Sequence, residues 1–155
     1  WIDDALQSMR HSNRLAAECI RRFGATACTD LTGFGLLGHL VEMTRPSGVD
    51  ATIYLSALPV LEGAENTVGA GILSSLQPAN VRLRRAIREV ETMVNHPRYP
   101  LVFDPQTAGG LLASVAAHHA DACVRELIAL GYSQTRIIGA IHPKGDSLEP
   151  ITLLH

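Results

Sequence analysis

Two carboxylates in this sequence end short apolar runs, and one of them, Asp30, stands where a carboxylate can act on a bound group. Asp30 ends the short apolar run Ala27-Cys28-Thr29 and is followed by Leu31-Thr32-Gly33-Phe34-Gly35, the entry to a helical segment. A side chain at the carboxyl end of a strand, just before a helix start, projects where backbone donors converge and substrates usually sit. Thr32 is placed to cap the helix, and Gly33 and Gly35 let the main chain bend and come close to a ligand. The chemistry this suits is hard-cation ligation, since magnesium demands oxygen ligands and commonly bridges a protein to polyphosphate. Asp30 is therefore the candidate metal ligand, on a stretch that presents one fixed carboxylate. The same residue types also make an ordinary strand-to-helix corner with no ligand at all. A third reading comes from Gly33, Gly35 and Gly38, which fit the dinucleotide spacing G-x-G-x-x-G. That unit needs an acid at the end of its second strand, about twenty residues on, to hold a ribose hydroxyl. The next apolar run, Val49 to Leu55, carries Asp50 near its start instead, so nicotinamide binding ranks below metal and phosphate binding.

The second carboxylate, Asp104, ends the run Leu101-Val102-Phe103 and precedes Pro105-Gln106-Thr107-Ala108-Gly109-Gly110, which leads into another apolar stretch. The double glycine permits unusual torsions or close approach of another segment. A plain connector between two strands explains it as well. Asp104, Gln106, Thr107, Gly109 and Gly110 are accordingly assigned a structural or neighbouring role. Other polar residues carry less. His39 has no second ligand at a metal spacing and reads as a packed or capping histidine. His118 and His119 are adjacent and point in different directions. Arg82, Arg85 and Arg88 share a face by three-residue spacing, but Glu89 and Glu91 lie beside them and a solvated surface is the better reading.

The elements that must position these groups follow from periodicity. Apolar residues at helical spacing predict helices from Asp3 or Asp4 to Phe23, over Gly35–Thr44 with Pro46 and Gly48 as its stop, over Asn80–Val94, and over Ala116–Leu130. Asn13 falls near the apolar face of the first and needs a hydrogen-bond partner there. Strands are expected at Thr26–Thr29, Val49–Leu55, Leu101–Phe103, Leu111–Val115, Arg136–Ile141 and Ile151–Leu154. The segment from Ser56 to Asn80 is irregular. Strands separated by helices suggest an α+β fold with helices packed on a mixed β-sheet.

Composition bounds the rest. The chain has 155 residues, 46% hydrophobic and 18% charged, with a net charge of -2, which fits one compact domain with a real core. Neither a nucleic-acid surface nor a membrane-attracted one is indicated, and no apolar stretch approaches a membrane span. Cys19, Cys28 and Cys123 are odd in number and show no C-x-x-C. They read as buried thiols of a cytoplasmic protein. The opening Trp1-Ile2-Asp3-Asp4 runs almost at once into helical sequence, as expected of a piece of a longer polypeptide.

Taken together, Ala27-Cys28-Thr29-Asp30-Leu31-Thr32-Gly33-Phe34-Gly35-Leu36-Leu37-Gly38-His39-Leu40 and the later Asp104-Pro105-Gln106-Thr107-Ala108-Gly109-Gly110-Leu111-Leu112 strongly resemble selenophosphate synthetase, or selenide, water dikinase. The resemblance covers nearly the whole chain and only the carboxyl-terminal half of that enzyme, the part similar to the aminoimidazole ribonucleotide synthetase C-terminal domain. It implies that residues 1–155 form a single C-terminal domain whose amino-terminal, ATP-binding partner domain is absent. It also implies a magnesium-dependent homodimer that turns ATP, selenide and water into selenophosphate, AMP and phosphate. Asp30 matches the family's magnesium-binding aspartate, and the match of Thr32, Gly33 and Gly35 to the same motif implies that they shape the nucleotide-phosphate corner beside it. The catalytic Cys or selenocysteine, the essential Lys and the remaining metal-binding aspartates belong to the missing half, so no catalytic residue is expected here and the isolated piece is expected to be inactive. The stretch Gly71-Ile72-Leu73-Ser74-Ser75-Leu76-Gln77-Pro78-Ala79-Asn80 departs from the Pro-Gly-rich loop of that family. It is similar to the corresponding half of longer proteins fused to a flavin-dependent (FAD), NADH-dehydrogenase-like oxidoreductase, in which this domain would be a structural, dimer-supporting module.

Overall fold

The computed structural model describes residues 1–155. Helix α1 (Ile2–Arg10) and helix α2 (Arg14–Arg22) take the place of the single expected first helix. The break between them has a donor-acceptor cause. The Tyr132 hydroxyl donates to the Ser12 carbonyl at 2.7 Å and accepts from the Ala16 amide at 3.1 Å, satisfying one of the donors that a new helix start leaves free. Ala16, Cys19 and Ile20 then lie on one buried stripe of α2, the i, i+3, i+4 spacing of an amphipathic helix.

Strand β1 (Ala27–Asp30) ends on Asp30 and the chain turns into helix α3 (Gly35–Ser47). Gly35, Leu36, Leu37, Gly38, His39, Leu40, Val41 and Thr44 are all buried, so α3 is apolar nearly all round and forms the centre of the molecule. It runs through Pro46, which was expected to stop it. That ring sits in the last turn on the exposed side, where the carbonyl it cannot satisfy, that of exposed Glu42, meets water. Strand β2 (Val49–Tyr54) follows, then short helices α4 (Ala64–Gly69) and α5 (Gln77–Asn80) in the irregular segment.

Two expectations fail between Asn80 and Asp104. The expected helix over Asn80–Val94 is instead a pair of 3-10 turns, Val81–Ala86 and Val90–Thr92. Ile87 goes extended between them and bridges Ile151 in parallel, and the Arg88 amide donates to the Ile151 carbonyl at 2.8 Å. Arg88 thereby turns inward onto Asp50 and the Glu149 carbonyl, so Arg82, Arg85 and Arg88 do not share a solvated face. The expected strand Leu101–Phe103 is a 3-10 turn, Pro100–Phe103, with Val102 and Phe103 buried. Proline at the first position presets the torsion of such a turn.

Strand β3 (Leu111–Ser114) pairs with β1 antiparallel, with Asp30 opposite Leu111 and Ala27 opposite Ser114. Helix α6 (Ala117–Ala129), strand β4 (Gly139–Pro143) and strand β5 (Ile151–Leu154) complete the chain. The α+β class is as read from the sequence, but the strands form two sheets. One holds β1 and β3, and the other is mixed, with β2 central, β4 antiparallel and β5 parallel to it. A core of 16 buried residues gathers α3, β2, β5 and Phe103. A smaller one of 5, including Cys19, Cys123 and Leu127, joins α2 to α6 under β3. Cys28, expected to be buried, is exposed on β1. No helix is long and apolar enough to cross a membrane.

Candidate functional site

The two sequence stretches meet at one corner. Leu31 extends the β1 ladder, its amide donating to the Gly110 carbonyl at 3.0 Å while its carbonyl accepts from the Gly109 amide at 3.1 Å. The Thr32 carbonyl accepts from the amides of Gly35 and Gln106, each at 3.0 Å. The second stretch therefore braces the first from below, through backbone groups of Gln106, Gly109 and Gly110. Two glycines make this approach possible. Gly35 has φ +67, and a Cβ there would lie 2.9 Å from the Asp104 carbonyl oxygen; a Cβ on Gly109 would collide with the Leu31 carbonyl oxygen.

Three polar side chains that sequence reasoning did not place in the site lock the corner. Asn80 is buried, and its amide donates to the Gly33 carbonyl at 2.8 Å and the Phe103 carbonyl at 3.0 Å. Asn13, at the start of α2, donates to the Gly109 carbonyl at 3.0 Å, which supplies the partner its position required. His39 accepts the Thr32 amide at Nε2, 3.0 Å away, with the Thr32 hydroxyl at 3.1 Å. Thr32 does not cap α3 with its side chain, as the sequence suggested. Phe34 holds the N-cap position with no side-chain cap bond, and the Thr32 hydroxyl is engaged by His39 instead.

On this braced frame Asp30 is exposed, and its carboxylate enters none of the chain's ion pairs. Gly33 beside it is exposed, with nothing within 4 Å of where a Cβ would stand. Asp104 differs. It is half-buried, burial pushes its carboxyl up, and a 3.1 Å hydrogen bond donated by Gln106 opposes that. Thr107 is exposed on the rim. Although Cys28 is exposed as a residue, partial desolvation of its thiol first, then the Asp30 charge, push the thiol up, so its reactive thiolate is disfavoured.

Whether these residues fit a magnesium ion can be tested on the donor set. No three His, Cys, Asp or Glu side chains converge to hold a metal by themselves. Magnesium usually keeps several waters and takes one or two carboxylates plus substrate phosphate oxygens. One free carboxylate, with an open glycine three residues on, suits that partial role. Asp30 would hold the ion, and Gly33 would leave room for the group the ion bridges.

Comparison with known proteins identifies the chain's relatives. "Selenide, water dikinase" of Clostridioides difficile (strain 630) is 35% identical over 144 residues, 93% of this chain and 41% of the relative. "Selenide, water dikinase 2" of Peptoclostridium acidaminophilum is 34% identical over 142 residues, and the corresponding protein of Desulfitobacterium hafniense is 37% identical over 145 residues. The chain thus spans about two fifths of the length of these relatives, 41 to 42%. The family described as "AIR synthase related protein, C-terminal domain" matches residues 3–148, and the chain belongs to that family.

Proposed function

We propose that residues 1–155 are the C-terminal domain of an ATP-dependent selenide, water dikinase, contributing Asp30 to a magnesium-nucleotide site completed by an amino-terminal domain. The parent would be a cytoplasmic homodimer that converts ATP, selenide and water into selenophosphate, AMP and phosphate. The observation that carries the reading is the exposed, unpaired Asp30 carboxylate on a corner that the second stretch holds rigid. Asp3, Asp121 and Asp146 are exposed and unpaired as well, and what sets Asp30 apart is its place at the end of β1 on the corner that both sequence stretches build. The dikinase names of the relatives support this reading over a flavoprotein fusion.

Phosphoryl transfer is catalysed chiefly by positioning and by neutralising charge on phosphate oxygens. Magnesium, when bound, supplies that neutralisation. This chain's own part is to present one carboxylate in a fixed place, to leave space at Gly33, and to hold both through Thr32, Asn80 and Gly109. It brings no nucleophile or lysine to the corner. Its single lysine, Lys144, is tied to Asp50 at 3.1 Å.

The test is selenide-dependent AMP formation by the full-length parent, wild type beside Asp30→Ala, with the isolated chain as control. Asp30→Ala is expected to lower turnover by about 100-fold while the melting temperature stays put, and the isolated chain is expected to be silent. Unfolding or loss of assembly in Asp30→Ala would instead mark the corner as a structural module.

A further inference from the structure

We infer that His39 is a positioning residue for the site proposed above, holding the Thr32 amide and through it the placement of Asp30. This rests on the magnesium-nucleotide reading of the corner and adds to it a residue on α3.

The ring is fixed by elimination. A backbone N–H can only donate, so His39 Nε2, 3.0 Å from the Thr32 nitrogen, must carry its lone pair. The proton of the neutral ring is then on Nδ1. That atom is buried with no hydrogen-bond partner in the chain, and Glu42 Oε2 lies 3.5 Å from it, on a side chain 61% exposed. His39 itself is 6% exposed among the buried apolar Leu36, Leu37 and Leu40. Packing alone would be served better by an apolar side chain there, because an unpaired buried donor costs free energy. What the imidazole does that leucine cannot is accept the Thr32 amide.

Thr32, together with Leu31 before it, ties the two sequence stretches. Its amide and hydroxyl both meet His39, and its carbonyl accepts from Gly35 on one side and Gln106 on the other. Asp30 stands two residues before it, with only Leu31 between. The carboxylate is therefore held from the strand side by the ladder to Gly110 and from the helix side by His39. Catalytic geometry tolerates little slack: a displacement of about 1 Å by a distant change can cost about 100-fold. Loss of the Nε2 acceptor frees the Thr32 amide and lets the carboxylate drift.

The experiment uses the full-length parent with His39→Gln, His39→Asn and His39→Leu. A glutamine oxygen reaches as far as Nε2 and accepts the amide, whereas asparagine reaches only to the level of Nδ1. The magnesium concentration for half-maximal ATP turnover is expected to stay within about 3-fold of wild type in His39→Gln. It is expected to rise by about 10-fold or more in His39→Asn and His39→Leu, with the two amide variants melting alike. If His39→Leu fails to fold, the comparison of Gln with Asn decides alone. Equal behaviour of those two variants overturns the inference. A second readout needs no turnover: ring nitrogen spectra of histidine-labelled protein should show Nε2 unprotonated, and the Thr32 amide should exchange slowly in wild type and His39→Gln but fast in His39→Asn. A proton found on Nε2 overturns the inference whatever the kinetics. If those spectra are as expected but the wild-type parent ignores selenide, His39 still holds the corner and only the proposed reaction falls.

Discussion

Three aspartates show how differently one side chain type is used in this chain. Asp50 is 3% exposed, ion-paired to Arg88 and to Lys144 at 3.1 Å, and accepts the Gly145 amide at 2.9 Å. The Gly145 hydrogen bond first, then the Arg88 guanidinium and the Lys144 ammonium, hold its carboxyl down at about 2. Asp104 goes the other way, raised by burial, and Asp30 has no partner among the ion pairs at all. A carboxyl whose folded value lies below its unfolded value of 3.8 contributes stability that is present above that value and is lost as the pH falls toward about 2. Asp50→Asn should therefore flatten the fall in urea midpoint between about pH 5 and pH 2, and should also lower the midpoint at neutral pH, because Arg88 is left without its anion. Parallel pH curves for wild type and variant would show that Asp50 is not the group responsible.

Element by element, the corner depends on two close backbone approaches, and these separate glycines that look alike in sequence. Gly35→Ala combines a positive φ with a contact to the Asp104 carbonyl, so it should cost about 1 to 3 kcal/mol in denaturant unfolding. Gly33→Ala meets nothing within 4 Å and has no positive φ; it should stay within about 0.5 kcal/mol of wild type. Equal losses at both positions would mean the corner is strained as a whole rather than at Gly35. That distinction was not readable in the sequence, where both residues serve the same turn. Several elements were readable: β2 from its alternation, α6 from its apolar stripe, and α3 from the glycine-punctuated apolar run that ends at Gly48. Those that failed were set by distant partners. The Val81 to Val94 spacing is helical, yet Arg88 has its amide on Ile151 and its guanidinium on Asp50, far along the chain, and this outweighs a modest helix preference. Leu101-Val102-Phe103 is a short apolar run, which periodicity cannot assign to a strand rather than a buried turn. In the site, the carboxylate's place at a strand end was legible, but Asn80 and His39 act through carbonyls and amides, which carry no residue signature.

At the scale of the whole molecule, the corner lies where the two cores join. β1 belongs with β3, whose Leu111 and Ala113 pack on the smaller core of α2 and α6, while α3, entered four residues after Leu31, is the centre of the larger one. The hydrogen bonds around the corner cross this junction from both sides: Asn13 reaches from α2 to Gly109, and Asn80 from α5 to Gly33 and Phe103. Local opening free energy follows buried apolar contact, and the smaller core has 5 buried residues against 16. Amides in α2 and α6 are therefore expected to exchange with solvent before those in α3 and β2. Leu127→Ala, which truncates a residue 5% exposed in the smaller core, should cost about 2 to 5 kcal/mol and speed exchange in α2, α6 and β3, leaving the α3 and β2 amides close to wild type. The Asp30 end of β1 should follow the smaller core, since its ladder partner is β3, while His39 and Gly35 follow the larger. Hydrogen exchange read by mass spectrometry on wild type and Leu127→Ala distinguishes this from a single cooperative unit, in which every protected amide would share one opening free energy and the substitution would speed them all alike. Separate opening would place the metal ligand on one unit and its positioning histidine on another, so that the Thr32–His39 contact becomes the link through which the stability of one reaches the other.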